Sequence, residues 1–214
     1  MPEPTLEFVA MARAAGALRC GSFTLKSGRV SPYFFNAGSL SSGRAAAALA
    51  RGYADTIQAH HPDCDVIFGP AYKGIPLAAL AAAALADRHD RDVPYAFNRK
   101  EAKDHGEGGN IVGGPLSGKV VIVDDVITAG TAIRESVEMI REAGAEVAGI
   151  VIALDRRERG TGTLSAVQEV EQSLGVAVRA LATLDDLVTV LEQGGGEPET
   201  LAAVKQYRTK YGVL

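Results

Sequence analysis

A chain of 214 residues with 47% hydrophobic and 22% charged residues has the composition of a single globular domain with enough apolar material for a full core. Its net charge of −4 gives no sign of broad nucleic-acid binding, although basic residues that cluster locally can still bind an anionic ligand. The two cysteines, Cys20 and Cys64, lack the spacing of metal ligands and of a disulfide framework. Because we find neither a signal-like amino terminus nor an apolar stretch long enough to span a bilayer, we expect a soluble, cytoplasmic protein.

The amino-terminal part of the sequence predicts one helix and two short extended segments. The helix covers residues 6–18, and the extended segments lie around residues 23–26 and 32–36. From Ser42 onward the pattern predicts a second helix, because apolar residues recur every four positions on one face. These residues are Leu49, Tyr53 and Ile57.

The rest of the chain alternates between apolar runs that are typical of buried strands and stretches that are typical of helices. The predicted strands are residues 65–68, 93–97, 120–123, 147–154 and 176–181. The predicted helices are residues 74–88, 130–143 and 164–174, and a last helix near residues 199–207 follows the glycine run 194–196. This alternation predicts one α/β domain with a central parallel sheet covered by helices on both faces.

Residues 99–114 fit neither the strand pattern nor the helix pattern. They combine Arg, Lys, Asp, Glu and His with five glycines and show no apolar period. We predict a mobile loop here, and long loops inside compact domains often act as lids over a site. On composition alone, however, such a segment is only a solvated charged loop.

The most informative segment is residues 120–131, with the sequence VVIVDDVITAGT. Its first four residues are all apolar and predict a buried strand. This strand carries Asp124 and Asp125 at its carboxyl end, where ligands collect in an open α/β sheet. Residues 128–131 then turn into a helix, whose first N–H groups and positive dipole end can hold a phosphate. The two carboxylates suit ribose hydroxyls as hydrogen-bond acceptors. The segment therefore predicts a site for a ribose 5-phosphate.

Two alternative interpretations of this region are weaker. Many α/β proteins contain an acidic strand end followed by a helix cap, but the twelve-residue pattern is more specific than that. Residues 113–119 have the Gly-x4-Gly-Lys spacing of a P-loop, but Val120 stands where Ser or Thr is required. Lys119 also leads into a strand and not into a helix, so we reject the P-loop.

Residues 124–131 resemble the motif with which type I phosphoribosyltransferases bind 5-phosphoribosyl 1-diphosphate (PRPP). Further segments narrow the resemblance to the bacterial orotate phosphoribosyltransferases. They are FTLKSGR (23–29), SPYFFNAG (31–38), GPAYKGIP (69–76), FNRKEAKDHGEGG (97–109) and LDRRERG (154–160). The resemblance covers about residues 20–160 and implies the type I phosphoribosyltransferase fold, with a central parallel sheet flanked by helices and a small hood.

The resemblance also implies an organisation for the whole chain and its partners. Residues 1–214 would form a single domain, with the hood at about 1–41, the core at about 42–182, and the segment 183–214 packed on the core. The loop 99–109 would fold over the site of a neighbouring subunit, which implies a homodimer. Mg²⁺ is the expected cofactor, held mainly by PRPP and water without dedicated protein ligands, as this hard ion often is. We expect no nucleic acid and no membrane partner.

For PRPP, the resemblance assigns residues from the hood, from the helix start after residue 69, from the loop and from the motif 124–132. Without the resemblance, residues 69–75 are only a second helix start of the anion-binding kind with an exposed lysine. The implied PRPP-binding residues are Lys26, Tyr72, Lys73, Arg99, Lys100, Lys103, His105, Asp124, Asp125, Val126, Ile127, Thr128, Ala129, Gly130, Thr131 and Ala132. The residues implied to be catalytic are Lys26, Lys103, Asp124 and Asp125.

For orotate, the resemblance assigns residues from the hood, the phosphate turn and the segment after residue 154. The implied orotate-binding residues are Lys26, Phe34, Phe35, Thr128 and Arg156. A guanidinium fork suits a carboxylate bidentately, which makes Arg156 the expected discriminator for orotate. Without the resemblance, Phe34 and Phe35 would be assigned to the core, and Lys26 and Arg156 to the surface.

The implied reaction joins orotate and PRPP into orotidine 5′-phosphate and diphosphate, a step of de novo pyrimidine biosynthesis that leads to UMP. One alternative is a transferase of the same fold that acts on a purine base. Another is a regulator that binds PRPP or a nucleotide without turnover, with RNA as a partner. Arg156 and the hood with Lys26 disfavour the purine base, and the acidic charge balance disfavours RNA.

Overall fold

The computed structural model describes residues 4–25, 27–103, 109–160 and 162–213. Helices and strands alternate along most of this chain. In chain order they are α1 Pro4–Ala14, β1 Leu18–Thr24, β2 Val30–Phe35, α2 Gly43–His60, β3 Val66–Gly69, α3 Gly74–His89, β4 Tyr95–Lys103, β5 Gly109–Gly113, β6 Lys119–Asp124, α4 Thr131–Glu142, β7 Glu146–Asp155, α5 Ala166–Leu174, β8 Val178–Thr183, α6 Leu184–Val190 and α7 Pro198–Tyr211. A 3-10 turn at Ala37–Ser39 follows β2, and a π-type turn at Leu191–Gly195 follows α6.

The central sheet contains six of the described strands, in the order β5-β4-β3-β6-β7-β8. Strands β4, β3, β6, β7 and β8 pair in parallel, and β5 pairs antiparallel to β4 at one edge. Neighbouring parallel strands end on the same side of a sheet, so the carboxyl ends of β3 and β6 lie next to each other. The predicted central parallel sheet flanked by helices is confirmed, and the antiparallel edge strand is an addition to it.

Two apolar clusters cover the two faces of this sheet. Along β6, Val121 and Val123 belong to the cluster formed with α1, α2, α3, α6 and the hood. Val120 and Ile122, from the same strand, belong to the cluster formed with α4 and α5. The alternation arises because successive side chains of a strand point to opposite faces. A sheet buried on both sides explains why its strands are continuously apolar in the sequence.

The hood is a two-stranded antiparallel sheet of β1 and β2. Helix α7 contacts it through Tyr207, whose ring meets the ring of Tyr33 edge-on with the centroids 6.2 Å apart. Helix α6 packs against α1 and contributes the buried residues Leu184, Leu187 and Val188 to the same cluster. The carboxyl-terminal segment therefore contacts the hood as well as the core.

The structure corrects three predictions for local structure. The first helix ends at Ala14, not at residue 18, because Gly16 takes a positive φ of 71° and β1 already begins at Leu18. Helix α6 is absent from the predictions, although Thr183 caps it and forms a capping box with Asp186. Seven residues are too few for helical periodicity to be recognised in the sequence.

The third correction concerns residues 99–114, for which a loop was predicted. Strand β4 continues to Lys103, and β5 returns antiparallel to it from Gly109. These two arms form a hairpin at the edge of the sheet, and their charged, glycine-rich composition conceals the strands in the sequence. Residues 104–108 lie outside the described part of the chain. No helix in the described ranges is long and apolar enough to cross a membrane.

Candidate active site

The end of β6 and the start of α4 form one wall of a cavity of about 310 Å³. All nine residues of the predicted motif 124–132 line it. Gly130 is the N-cap of α4 in the left-handed conformation, with φ of 70°, and provides no side-chain cap to the first N–H groups. A Cβ at this position would lie 2.8 Å from Val170 Cγ2, so a larger residue would both strain and displace the turn. The open helix end suits a phosphate.

The turn between β3 and α3 forms the facing wall of this cavity. Gly69 and Gly74 pack backbone against backbone there, since a Cβ on Gly69 would lie 2.0 Å from the Gly74 carbonyl oxygen. The peptide bond between Ala71 and Tyr72 is cis, and the Ala71 N–H donates to Asn98 Oδ1 at 2.8 Å. These contacts fix the turn while the Tyr72 side chain remains 68% exposed.

An ion pair connects the two walls of the cavity. Lys73 Nζ lies 2.5 Å from Asp125 Oδ2. The Asp125 side chain is only 7% exposed, whereas that of Lys73 is 59% exposed. The other oxygen of Asp125 accepts a hydrogen bond from the Val126 N–H at 3.0 Å. The carboxylate is therefore fixed, and the lysine can turn towards an anion that enters the cavity.

Asp124 lies beside this ion pair, and one oxygen of its carboxylate is held by a hydrogen bond. Its Oδ1 accepts a hydrogen bond from the Asp125 N–H at 2.8 Å, and its backbone carbonyl accepts from the Tyr53 hydroxyl at 2.7 Å. Burial raises the pKa of Asp124 to about 6, and the charge of Asp125 acts in the same direction. The N–H of Asp125 and the charge of Lys73 oppose this rise. The site thus contains a carboxylate that ionises less readily than an ordinary aspartate.

The cations of β4 lie beside a second cavity of about 680 Å³. Arg99 and Lys100 line it, opposite three glutamates of α4. The two cavities share Pro70, Ala71, Thr131 and Ala132. Lys100 Nζ lies 5.0 Å from the centroid of the Tyr72 ring, at the border between them. Lys103 ends β4, but its side chain lies outside the described residues, as does the whole of His105.

Arg156 follows β7 and is largely buried, with 15% of its side chain exposed. Its guanidinium carbon lies 4.4 Å from the centroid of the Tyr33 ring. Its Nη2 donates to Glu158 Oε1 at 2.6 Å and to Ser31 Oγ at 3.2 Å. The alternative of a plain surface cation is therefore wrong, because the hood covers this side chain. Arg156 does not belong to the described lining of the 310 Å³ cavity.

The two phenylalanines of the hood lie on opposite faces of β2. Phe35 is buried in the apolar core. Phe34 is half-buried and packs against the Phe23 ring with the centroids 5.5 Å apart. A flat base that binds on the Phe34 face of β2 would touch the side chain of Phe34 but not that of Phe35. It could contact Phe35 only through the backbone. Lys26, at the turn of the hood, lies outside the described residues.

Known proteins were compared with this chain as a whole. The phosphoribosyl transferase domain family matches residues 37–171. The orotate phosphoribosyltransferase of Thioalkalivibrio sulfidiphilus is 59% identical over 207 residues, which cover 97% of this chain and 97% of that protein. The chain belongs to the orotate phosphoribosyltransferase family. The orotate phosphoribosyltransferase of Vibrio cholerae is 58% identical with the same coverage.

A solved structure agrees with this assignment to the orotate phosphoribosyltransferase family. The crystal structure of orotate phosphoribosyltransferase from Francisella tularensis matches this chain with a TM-score of 0.87 and 39% identity. The match covers 97% of this chain and 100% of that one. The predicted family, the fold class and the phosphoribosyltransferase class of enzyme are confirmed.

Three residues that shape the site of this orotate phosphoribosyltransferase family member were absent from the sequence prediction. Tyr53 was counted only as part of the apolar face of α2. Asn98 borders the segment that was predicted to be a loop, and Glu158 belongs to a run of charges after β7. Each makes a polar contact with a residue distant in sequence, and for Glu158 this residue is Tyr33; periodicity cannot reveal such contacts.

The raised pKa of Asp124 predicts that this residue lowers the stability of the unliganded protein. The pKa rises from its ordinary 3.8 to about 6 on folding. The penalty is therefore fully present above pH 6 and disappears as the pH falls towards 3.8. We expect Asp124→Asn, which keeps the acceptor for the Asp125 N–H, to stabilise the protein by roughly 1 to 3 kcal/mol at pH 8 and by much less at pH 4.5.

Equilibrium unfolding in urea at both pH values measures this difference. Asp63→Asn is the matched control, because Asp63 lies at the surface and its pKa is lowered by the side chain of Lys119. The control should not gain stability at pH 8. A stability gain for Asp124→Asn that is equal at the two pH values would contradict the assigned cause.

Proposed function

We propose that this protein transfers the ribose 5-phosphate group of PRPP to a ring nitrogen of orotate, forming orotidine 5′-phosphate and diphosphate. The observation that carries the proposal is the turn after β6, where two carboxylates precede an open helix start. It stands in a chain of the orotate phosphoribosyltransferase family. The reaction is a step of de novo pyrimidine biosynthesis leading to UMP.

Each part of PRPP has matching groups around the 310 Å³ cavity. The first N–H groups of α4 and the preceding residues Thr128 and Ala129 would bind the 5-phosphate. Asp124 and Asp125 would accept hydrogen bonds from the ribose hydroxyls. Lys73, together with Tyr72, would contact the diphosphate across the cavity. This arrangement accounts for the carboxylates and the cation within one site.

The proposed mechanism is positional and electrostatic. A ring nitrogen of orotate attacks C1′ of the ribose while the bond to the diphosphate breaks, and the proton of that nitrogen passes to the leaving diphosphate. Positive charge develops on the ribose, which the carboxylates Asp124 and Asp125 favour, and negative charge develops on the leaving group. Lys73, Lys100 and Lys103 would neutralise the diphosphate. Closure of the segment 99–109 would exclude water from the ribosyl cation.

We include Mg²⁺ in the proposal as a cofactor held mainly by PRPP and water. Within the described ranges, no group of three or more His, Cys, Asp or Glu side chains could hold a metal ion. Asp124 has an oxygen that accepts no hydrogen bond from another described residue, and such a carboxylate fits the water shell of an ion bound to substrate phosphates. The bound ion would supply positive charge to the diphosphate.

We also propose a homodimer in which the segment 99–109 reaches the site of the neighbouring subunit. Supporting this, Arg99 and Lys100 line the larger cavity and are not part of the described lining of the smaller one. Cations for the diphosphate would then come from the partner. We place the protein in the cytoplasm, in agreement with the two free cysteines, Cys20 and Cys64.

A spectrophotometric assay tests the proposed activity. Orotate absorbance should fall only when PRPP and Mg²⁺ are both present, because the site is arranged around a diphosphate that requires neutralisation. Omission of either compound is the control. Turnover of adenine or hypoxanthine, without turnover of orotate, would contradict the proposal.

A further inference from the structure

Glu158 connects Arg156 to two separate parts of the fold. Its Oε1 accepts hydrogen bonds from Arg156 Nη2 at 2.6 Å and from the Tyr33 hydroxyl at 2.7 Å. Its Oε2 accepts from the Tyr207 hydroxyl at 3.0 Å. Tyr33 belongs to the hood and Tyr207 to α7. One carboxylate, with 11% of its side chain exposed, therefore binds three donors from three segments of the chain.

These contacts hold Nη2 of the Arg156 guanidinium and leave Nε and Nη1 without a hydrogen-bond partner among the described residues. Among the described residues, its hydrogen bonds use only Nη2, which also reaches Ser31. Within the described part of the chain, His61 Nε2 is the one side-chain nitrogen or oxygen that is both buried and without a hydrogen-bond partner. Because Nε and Nη1 of Arg156 have no partner and are not buried in this sense, they are accessible. A guanidinium held by one nitrogen can present its remaining donors in a fixed direction to a carboxylate.

The backbone around Glu158 is itself held by the carboxyl-terminal segment. The Arg159 N–H donates to the Tyr211 carbonyl at 2.8 Å, and the Val213 N–H donates to the Arg157 carbonyl at 2.9 Å. Burial keeps the pKa of the Tyr33 hydroxyl well above its ordinary value, so this hydroxyl remains a donor to Glu158 at neutral pH. The carboxylate has both a fixed position and fixed partners.

We propose that Glu158 is a positioning residue for substrate recognition, holding Arg156 by Nη2 so that the remaining guanidinium donors meet the carboxylate of the pyrimidine. This inference rests on the proposed function and adds to it the means by which the recognising cation is oriented. Glu158 does not touch the substrate carboxylate, which it would repel. The hydroxyls of Tyr33 and Tyr207 also donate to the Glu158 carboxylate and compensate part of its negative charge. The positive charge of Arg156 is therefore not fully neutralised and can attract a second anion.

Calorimetric binding of two nucleotides tests this proposal without turnover. Orotidine 5′-phosphate contains the carboxylate, and uridine 5′-phosphate lacks it, while both share the ribose 5-phosphate. Glu158→Gln keeps the size of the side chain and removes its charge. We expect its Kd for orotidine 5′-phosphate to rise roughly tenfold, because a charged hydrogen bond to Arg156 is weakened, and its Kd for uridine 5′-phosphate to stay within about twofold.

Asp185→Asn is the matched control. Asp185 pairs with Arg157 and Arg208, so the variant loosens the same loop and the same helix without touching Arg156. Both Kd values should change little. Tyr207→Phe removes one donor to Glu158 and should raise the Kd for orotidine 5′-phosphate by about threefold, which keeps the test possible if Glu158→Gln does not fold.

The outcomes separate this inference from the proposed function. If the unmodified protein binds both nucleotides equally, carboxylate recognition itself is wrong. If it prefers orotidine 5′-phosphate and both variants retain that preference, Glu158 does not position Arg156. Equal weakening of both nucleotides in Glu158→Gln, or in Tyr207→Phe, would show a structural role only and would also overturn the inference.

Discussion

Replacing Arg156 with leucine is expected to lower kcat/KM for orotate by roughly a hundredfold or more, because a carboxylate would be left unpaired in a partly closed site. Arg156 is the cation beside the hood whose Nε and Nη1 donors have no hydrogen-bond partner among the described residues and can pair with orotate. The Kd for PRPP should change much less, since the described lining of the PRPP cavity does not include Arg156. Steady-state kinetics with orotate varied, together with PRPP binding by calorimetry, measures both effects.

Arg157→Leu is the matched control for this substitution. Arg157 is the next residue, is largely exposed, and pairs with Asp185. Its replacement should leave orotate use within about threefold, as expected for a surface ion pair. Equal losses for both substrates in Arg156→Leu would show that the guanidinium serves only to hold the hood, Glu158 and α7 together.

Mixing two slow variants is expected to restore activity if the segment 99–109 acts across a dimer. Lys103→Ala removes a proposed partner for the departing diphosphate, and Asp125→Asn removes the charge of a ribose-binding carboxylate. In a mixed two-fold dimer, one site carries both changes and the other carries neither. With random exchange, half of the dimers are mixed, so the mixture should reach up to about a quarter of the activity of the unmodified protein.

The two variants alone serve as controls and should each remain slow but folded. Subunit exchange is checked with differently tagged chains, followed by pull-down of the mixed dimer. If Lys103 instead served its own subunit, every site in the mixture would carry one change and no activity would return. Lack of recovery despite confirmed exchange would therefore refute the cross-subunit role.

Periodicity and turn chemistry in the sequence were enough to predict the central sheet and the turn at residues 124–131. Strands β3, β6 and β7 are continuously apolar because both faces of the sheet are covered, and residues 124–132 lie together as one turn. Residues 99–103 of β4 and the whole of β5 were predicted as part of a loop, because this segment mixes charged residues and glycines and shows no apolar period. Short elements such as α6 gave too few residues for any period to appear.

The surroundings of Arg156 show why the rest of the site could not be predicted. The hydrogen bond from Tyr33 to Glu158 joins positions 125 residues apart, and that from Tyr207 joins positions 49 apart. Such contacts depend on how the hood and α7 fold back on the core, which no local pattern contains. The family resemblance indicated Arg156, but the residues that orient it emerged only from the fold.

In the proposed PRPP complex, the ion pair between Lys73 and Asp125 would couple binding of the diphosphate to binding of the ribose. Without a ligand, each group satisfies the other at 2.5 Å. A diphosphate that draws Lys73 away leaves Asp125 free for a ribose hydroxyl, and a ribose that engages Asp125 releases Lys73. Binding of either part thus favours binding of the other, with a coupling free energy that is reciprocal. Once the diphosphate has left, the re-forming pair would compete with the nucleotide for Asp125 and would favour release of the product.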